Sequence, residues 1–227
     1  MNSLSKLTLA TLFLGFSNLA FAQSENASVK DLSTSTTSIQ TESPYQKPKA
    51  SRFTPEISLI SSTFVGSDSN NARTLTKISI GANIDIGEGN LVTETGILFR
   101  QIGANETAII NSKSIDLETD LNYLSVPISA KYYFSNQHES SFFAKIGLAP
   151  SLLVASQLSD TTSSARSSDP NAFAIDGLIG LGGKYQITEQ IGLVLEVSYW
   201  RGLAPVYSST NIYTSNFINT LGINIDL

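Results

Sequence analysis

The residues with the most chemistry in this sequence are charged side chains that recur on one side of two-residue alternations. Glu56, Asp85, Glu94, Asp176, Glu196 and Asp226 form the acidic set, and Lys77, Arg100, Lys131, Lys145 and Lys184 the basic set. Opposite charges on neighbouring strands can pair into a ladder, which is how buried charges survive away from water. The same residue types could instead line a narrow polar pore, or supply a carboxylate pair for acid–base work. A ladder of ion pairs filling the interior is the reading adopted here.

Other candidates carry less. His138 is the only histidine and falls in the short segment Ser135-Asn-Gln-His-Glu-Ser140, with no nucleophile or further ligands beside it. An exposed turn residue explains it better than a triad or a metal site. The run Asp176-Gly-Leu-Ile-Gly-Leu-Gly-Gly-Lys184 is glycine-rich. It lacks the Walker spacing, and no helical pattern follows it, so it reads as close packing in a strand. Asp160 and Asp169, with Ser and Thr between them, read as solvated loop residues. No cofactor and no metal site is expected, and no enzymatic activity.

The elements that must position these residues are strands. From Arg52 onward, apolar and polar residues alternate, broken by clusters of Gly, Asn, Asp and Ser. Eight runs are predicted, at about 53–64, 73–86, 91–102, 117–134, 141–154, 172–187, 191–201 and 213–227. They exceed the usual soluble strand of about five or six residues, and reach the roughly 9–11 residues that a tilted membrane strand needs. Gly87–Asn90, Ser135–Ser140 and Thr188–Gln190 are short connections, whereas 65–72, 103–116, 155–171 and 202–212 are longer and polar. Short turns at one end and long loops at the other are the pattern of outer-membrane barrels.

Between Ile191 and Tyr199, Ile191, Leu193, Leu195, Val197 and Tyr199 share one face. Ile78, Ile80, Ile84 and Ile86 do the same in the second run. Each opposite face holds small polar residues and one or two charges, which suits a narrow lumen more than a water-exposed wall. The predicted fold is all-β: an eight-stranded, antiparallel, up-and-down transmembrane β-barrel over 51–227. Tyr132, Phe134, Phe142, Tyr199, Tyr213 and Phe217 lie near strand ends and are assigned to aromatic girdles at the membrane borders.

The remaining sequence sets the compartment. Met1–Ala22 has Lys6, an apolar stretch of about ten residues and an Ala20-Phe21-Ala22 cleavage site, the three parts of a cleaved signal peptide. Residues 23–50 are rich in Ser and Thr, with Pro44 and Pro48 following, and read as a disordered periplasmic linker. The formal charge is −5, a poor fit to nucleic acid, and the absence of cysteine excludes disulfides and thiolate chemistry. The expected location is the cell outer membrane. Expected partners are outer-membrane lipid, periplasmic chaperones and the barrel-assembly machinery.

The segment Leu121-Asn-Tyr-Leu-Ser-Val-Pro-Ile-Ser-Ala-Lys-Tyr-Tyr-Phe134 resembles the Tyr-Leu-x-Ile-Pro-x-x-x-Lys-Tyr-Tyr-Phe strand of the PorT-like outer-membrane β-barrel family. Phe142-Phe-Ala-Lys-Ile-Gly-Leu-Ala-Pro150 is similar to the strand that follows it there. The resemblance implies a small barrel of the OmpX/OmpA type. PorT-like members are linked to type IX secretion and gliding, but no residue carries that role over to this chain. Three functions stay open: a structural or binding role carried by surface loops, a small passive channel, and a component of a secretion or assembly system.

Overall fold

Strands follow one another without a helix because period-two alternation runs through nearly the whole described chain. The computed structural model describes residues 50–69, 72–110, 113–135, 139–160 and 170–227. The signal segment, the linker up to residue 49, His138 and Asp169 lie outside the described residues. Strands β1 (Ala50–Val65), β2 (Arg73–Ile86), β3 (Leu91–Ile110), β4 (Lys113–Ser125), β5 (Ile128–Tyr133), β6 (Ser141–Asp160), β7 (Phe173–Gln186), β8 (Ile191–Gly202) and β9 (Tyr213–Asp226) form one antiparallel sheet. β1 pairs with β2 on one side and with β9 on the other, so the sheet closes on itself.

Nine strands make eight staves. β4 and β5 occupy a single wall position, since both pair with β3 on one side and β6 on the other. The break falls at Val126-Pro127. Proline has no N–H to give the ladder. Val126 keeps its own bond, donating to the carbonyl of Pro150 across the seam. The eight-stave barrel expected from the alternation is therefore the fold.

The predicted short connections at Gly87–Asn90 and Thr188–Gln190 are turns. Gly87 and Gly89 supply the positive φ that reverses the chain between β2 and β3. Two of the predicted long loops are corrected. Most of 103–116 is ladder, pairing continuously from Leu98↔Ser125 to Ile110↔Lys113, and β6 runs on to Asp160 instead of ending near 154. By contrast, β2–β3 pairing stops at Arg73↔Asn105 and β6–β7 pairing at Leu152↔Phe173. A three-stranded sheet of β3, β4 and β6 thus projects past the rest of the wall at the loop end.

The two faces divide as the alternation requires. Ile57, Leu59, Ile80, Ile97, Ile146, Ile179, Leu195 and Ile223 are exposed on the outside. Thr54, Ser58, Asn83, Ser129, Ser198, Thr220 and Asn224 are buried within the ring. Inside, an apolar cluster at the loop end gathers Ile60, Phe64, Ile102, Leu121, Tyr123, Trp200 and Ile218. Val206 and Ile212, from the β8–β9 connection, complete it from above.

Candidate functional site

The inward positions of seven staves bring the charged residues together. Glu94 on β3 is the centre: Lys131 Nζ donates to it at 2.8 Å and Lys145 Nζ at 2.6 Å. Lys145 also pairs with Glu196 of β8 at 2.8 Å, and Lys131 reaches Asp85 at 3.4 Å. Asp85 accepts a 2.6 Å bond from the Tyr133 hydroxyl and lies 3.9 Å from Arg52, whose other contact is Asp226 at 3.0 Å. One chain of alternating charge therefore runs Glu196–Lys145–Glu94–Lys131–Asp85–Arg52–Asp226.

Rings pave this chain. Lys131 Nζ lies 4.4 Å from the Phe143 ring centroid, and Arg52 stacks 5.3 Å from that of Tyr133. A cation over a ring contributes about 2 kcal/mol or more when the pair is desolvated. Glu56 accepts a 2.8 Å bond from Asn83 and borders the same interior. Lys184 is buried at the short-turn end, opposite Ser141 and Val194 in the ladders.

A second charged group stands apart, nearer the loops. Arg100 donates to Asp176 at 2.6 Å, to Ser125 at 2.8 Å and to Ser151 at 3.0 Å. Its guanidinium lies 4.5 Å from the centroid of Trp200, and Asp176 takes a further bond from Thr214 at 3.0 Å. Every member is buried. Removing one partner would leave an uncompensated charge in a dry interior.

Lys77 is not in either group. It pairs with Glu118 at 3.0 Å and Asp120 at 2.6 Å, at the foot of the projecting sheet, and all three are partly open to solvent. Lys77 keeps the inward parity of Ser79, Asn83 and Asp85, but it stands near the loop end of β2, beside the register shift to β3 between Thr74 and Ser79, where Glu118 and Asp120 of β4 are its partners. Arg52 was missed, although it shares the parity of Glu56 along β1. Its neighbours belong to the polar linker, so the alternation there is too short to read.

The aromatic assignments split by parity. Tyr132, Phe134, Phe142 and Phe217 are exposed on the outer wall, and Tyr199 and Tyr213 are half-buried there. Their immediate neighbours Tyr133, Phe143 and Trp200 point inward and serve the charge network.

Between the two charged groups the interior is nearly full. The void bounded by Glu56, Arg100, Lys145, Glu196, Trp200 and Pro127 is about 10 Å³. That is room for about one water molecule. A closed antiparallel ring with apolar residues outside and charges inside is the architecture of proteins that cross a membrane as strands.

The chain belongs to the outer membrane protein β-barrel domain family. The family's sequence profile matches residues 11–208. Among solved structures, it is similar to OprG of Pseudomonas aeruginosa (TM-score 0.48, 11% identity, 79% of this chain and 97% of that one). It is also similar to Neisserial surface protein A (0.46, 14%, 77% and 97%). A third is Ail, the attachment invasion locus protein of Yersinia pestis (0.42, 10%, 77% and 99%). No curated protein matches the sequence. As a member of this family, the chain is a protein of the outer membrane.

Proposed function

We propose that this protein is a plugged outer-membrane scaffold whose role is recognition at the loop end, carried by the projecting β3–β4–β6 sheet and the connections beside it. The observation that supports this is the filled interior. Among the described residues, two buried ionic groups and an apolar cluster occupy the interior, and the void between the two groups is about 10 Å³, too small for a solute path. A wall without a conduit keeps its rigidity for what it displays, and loops on rigid scaffolds are where binding residues concentrate. With an even number of staves, the start of β1 and the end of β9 share the short-turn end; in this reading that end faces the periplasm and the projecting sheet faces outward. Export would follow cleavage after Ala22, so the mature chain would begin at Gln23.

The test has two arms. Purified protein in a planar bilayer should show no conductance steps, and discrete steps would overturn the scaffold reading in favour of the channel. Replacing 105–118 by a two-residue turn should abolish binding of whole cells to whichever surface or protein the wild type binds, with the barrel still heat-modifiable on a gel. Unchanged binding by that variant would remove the projecting sheet from the function.

A further inference from the structure

The outer wall carries a notch that internal packing does not explain. It opens between β5, β6, β7 and β8 near the short turns and is lined by Phe134, Phe142, Gly183, Tyr185, Leu193 and Leu195, with a volume of about 480 Å³. Its floor is Gly183, which stands in one row between Phe142 of β6 and Leu195 of β8. Other glycines of the wall are required where they are. A Cβ on Gly182 would meet the Phe143 ring at 2.3 Å, and one on Gly147 would meet the Ile128 carbonyl at 2.2 Å. At Gly183 the nearest atoms are Phe142 ring carbons at 3.6 Å, an ordinary contact. Gly177, equally open on the same strand and the same face, is covered by the Leu203 side chain. Gly183 has a contact of that length only with the Phe142 ring, which borders the notch, and the notch stays open beside it.

Resting on the orientation proposed above, the geometry points to a glycerophospholipid of the periplasmic leaflet, one acyl chain lying over Gly183 and its head beside Ser135 and Ser140. The notch continues the lipid-facing wall, which decides what kind of molecule reaches it. Its lining is also mixed: Leu193, Leu195 and the rings of Phe134, Phe142 and Tyr185 are apolar, and Ser135 and Ser140 bring hydroxyls to one border. A partner side chain would need no hydroxyl rim, whereas a lipid has ester and phosphate oxygens at that depth. Ser140 Oγ accepts from the Gln186 amide at 3.0 Å, which leaves its O–H to donate to such an oxygen. A broader apolar depression around Pro55, Ile80, Ile97 and Leu221 has no hydroxyl among its lining residues. In lipid, tight van der Waals fit takes the place of the hydrophobic drive, so a groove that matches a chain holds it longer than a smooth wall does.

The experiment is native mass spectrometry of the full mature protein, reconstituted in vesicles of palmitoyl-oleoyl phosphatidylethanolamine and phosphatidylglycerol and released into mild detergent. Wild type should retain one phospholipid per barrel. Gly183→Leu should lower that occupancy about tenfold, the equivalent of about 1.4 kcal/mol. Gly183→Ala should fall between, and Ala82→Leu, at an outward position on the opposite wall, should match wild type. Heat-modifiable mobility checks that each variant is folded. Equal retention by wild type and Gly183→Leu overturns the proposal. So does a wild-type dimer that Gly183→Leu dissociates, because a second copy would then be the occupant of the notch.

Discussion

Glu94 shows what each inward residue does for the fold. It holds two lysine ammonium groups, and all three residues are buried. Glu94→Ala should destabilise the barrel by about 3–5 kcal/mol, because Lys131 and Lys145 then share a dry interior with less opposing charge. The urea unfolding midpoint of protein refolded in lipid vesicles measures this. Adding Lys131→Met should recover part of the loss, since it removes one of the stranded charges, and a double variant no better than the single would show that the pair does not act as a unit. The adjacent glycines give a second contrast. Gly182→Ala drives a methyl into the Phe143 ring and should cost about 1–3 kcal/mol, while Gly183→Ala should be near neutral in the same assay. The inward and outward parity of most of these residues was legible in the sequence, because lipid on one side enforces strict alternation. Tyr133, Phe143 and Trp200 were legible only as aromatics near strand ends. Their role as ring partners for buried cations depends on cross-strand neighbours that a linear pattern does not name.

At the scale of elements, alternation was readable where a strand faces lipid and faded where it does not. Gly103 to Glu106 and Ala155 to Gln157 resemble loop because they are small or polar on both faces, near the loop end of the wall. Backbone pairing continues there regardless, carried by β3–β4 and β4–β6 hydrogen bonds. Beyond Asn105 and Leu152 the sheet has no flanking β2 or β7, so its bonds exchange with solvent on a different scale from the wall. Amide hydrogen exchange in vesicles should show the ladder from Leu98↔Ser125 down to the short turns protected far longer than Asn105↔Glu118 and beyond. Uniform protection along β3 would mean that the projecting sheet and the wall open together. The same reasoning explains the missed break at Pro127. A membrane stave with one proline keeps its alternation, so the sequence reads as one strand, while the ladder registers the lost donor as two.

For the molecule as a whole, the interior holds two obstructions in series. Near the short turns the chain from Glu196 to Asp226 fills the lumen with paired charge. Near the loops, Phe64, Ile102, Tyr123, Trp200 and Ile218 close it with apolar side chains, roofed by Val206 and Ile212. The roof is fastened to its surroundings: Asn171 donates its amide to the Val206 carbonyl and its side chain to Pro205, and Asn211 donates to Asp68. Two plugs in series make a specific prediction about conductance. Glu94→Ala with Lys145→Ala removes two long side chains that neutralise one another and opens space only in the lower half. That variant should remain silent in a planar bilayer, because the apolar cluster still excludes water. Adding Phe64→Ala and Trp200→Ala should produce small steps, since only then does a hydrated path extend from end to end. Heat-modifiable mobility of both variants establishes that the ring has closed. Steps from the first variant alone would show that the apolar cluster is no barrier, and that the barrel is one ion network away from being a pore.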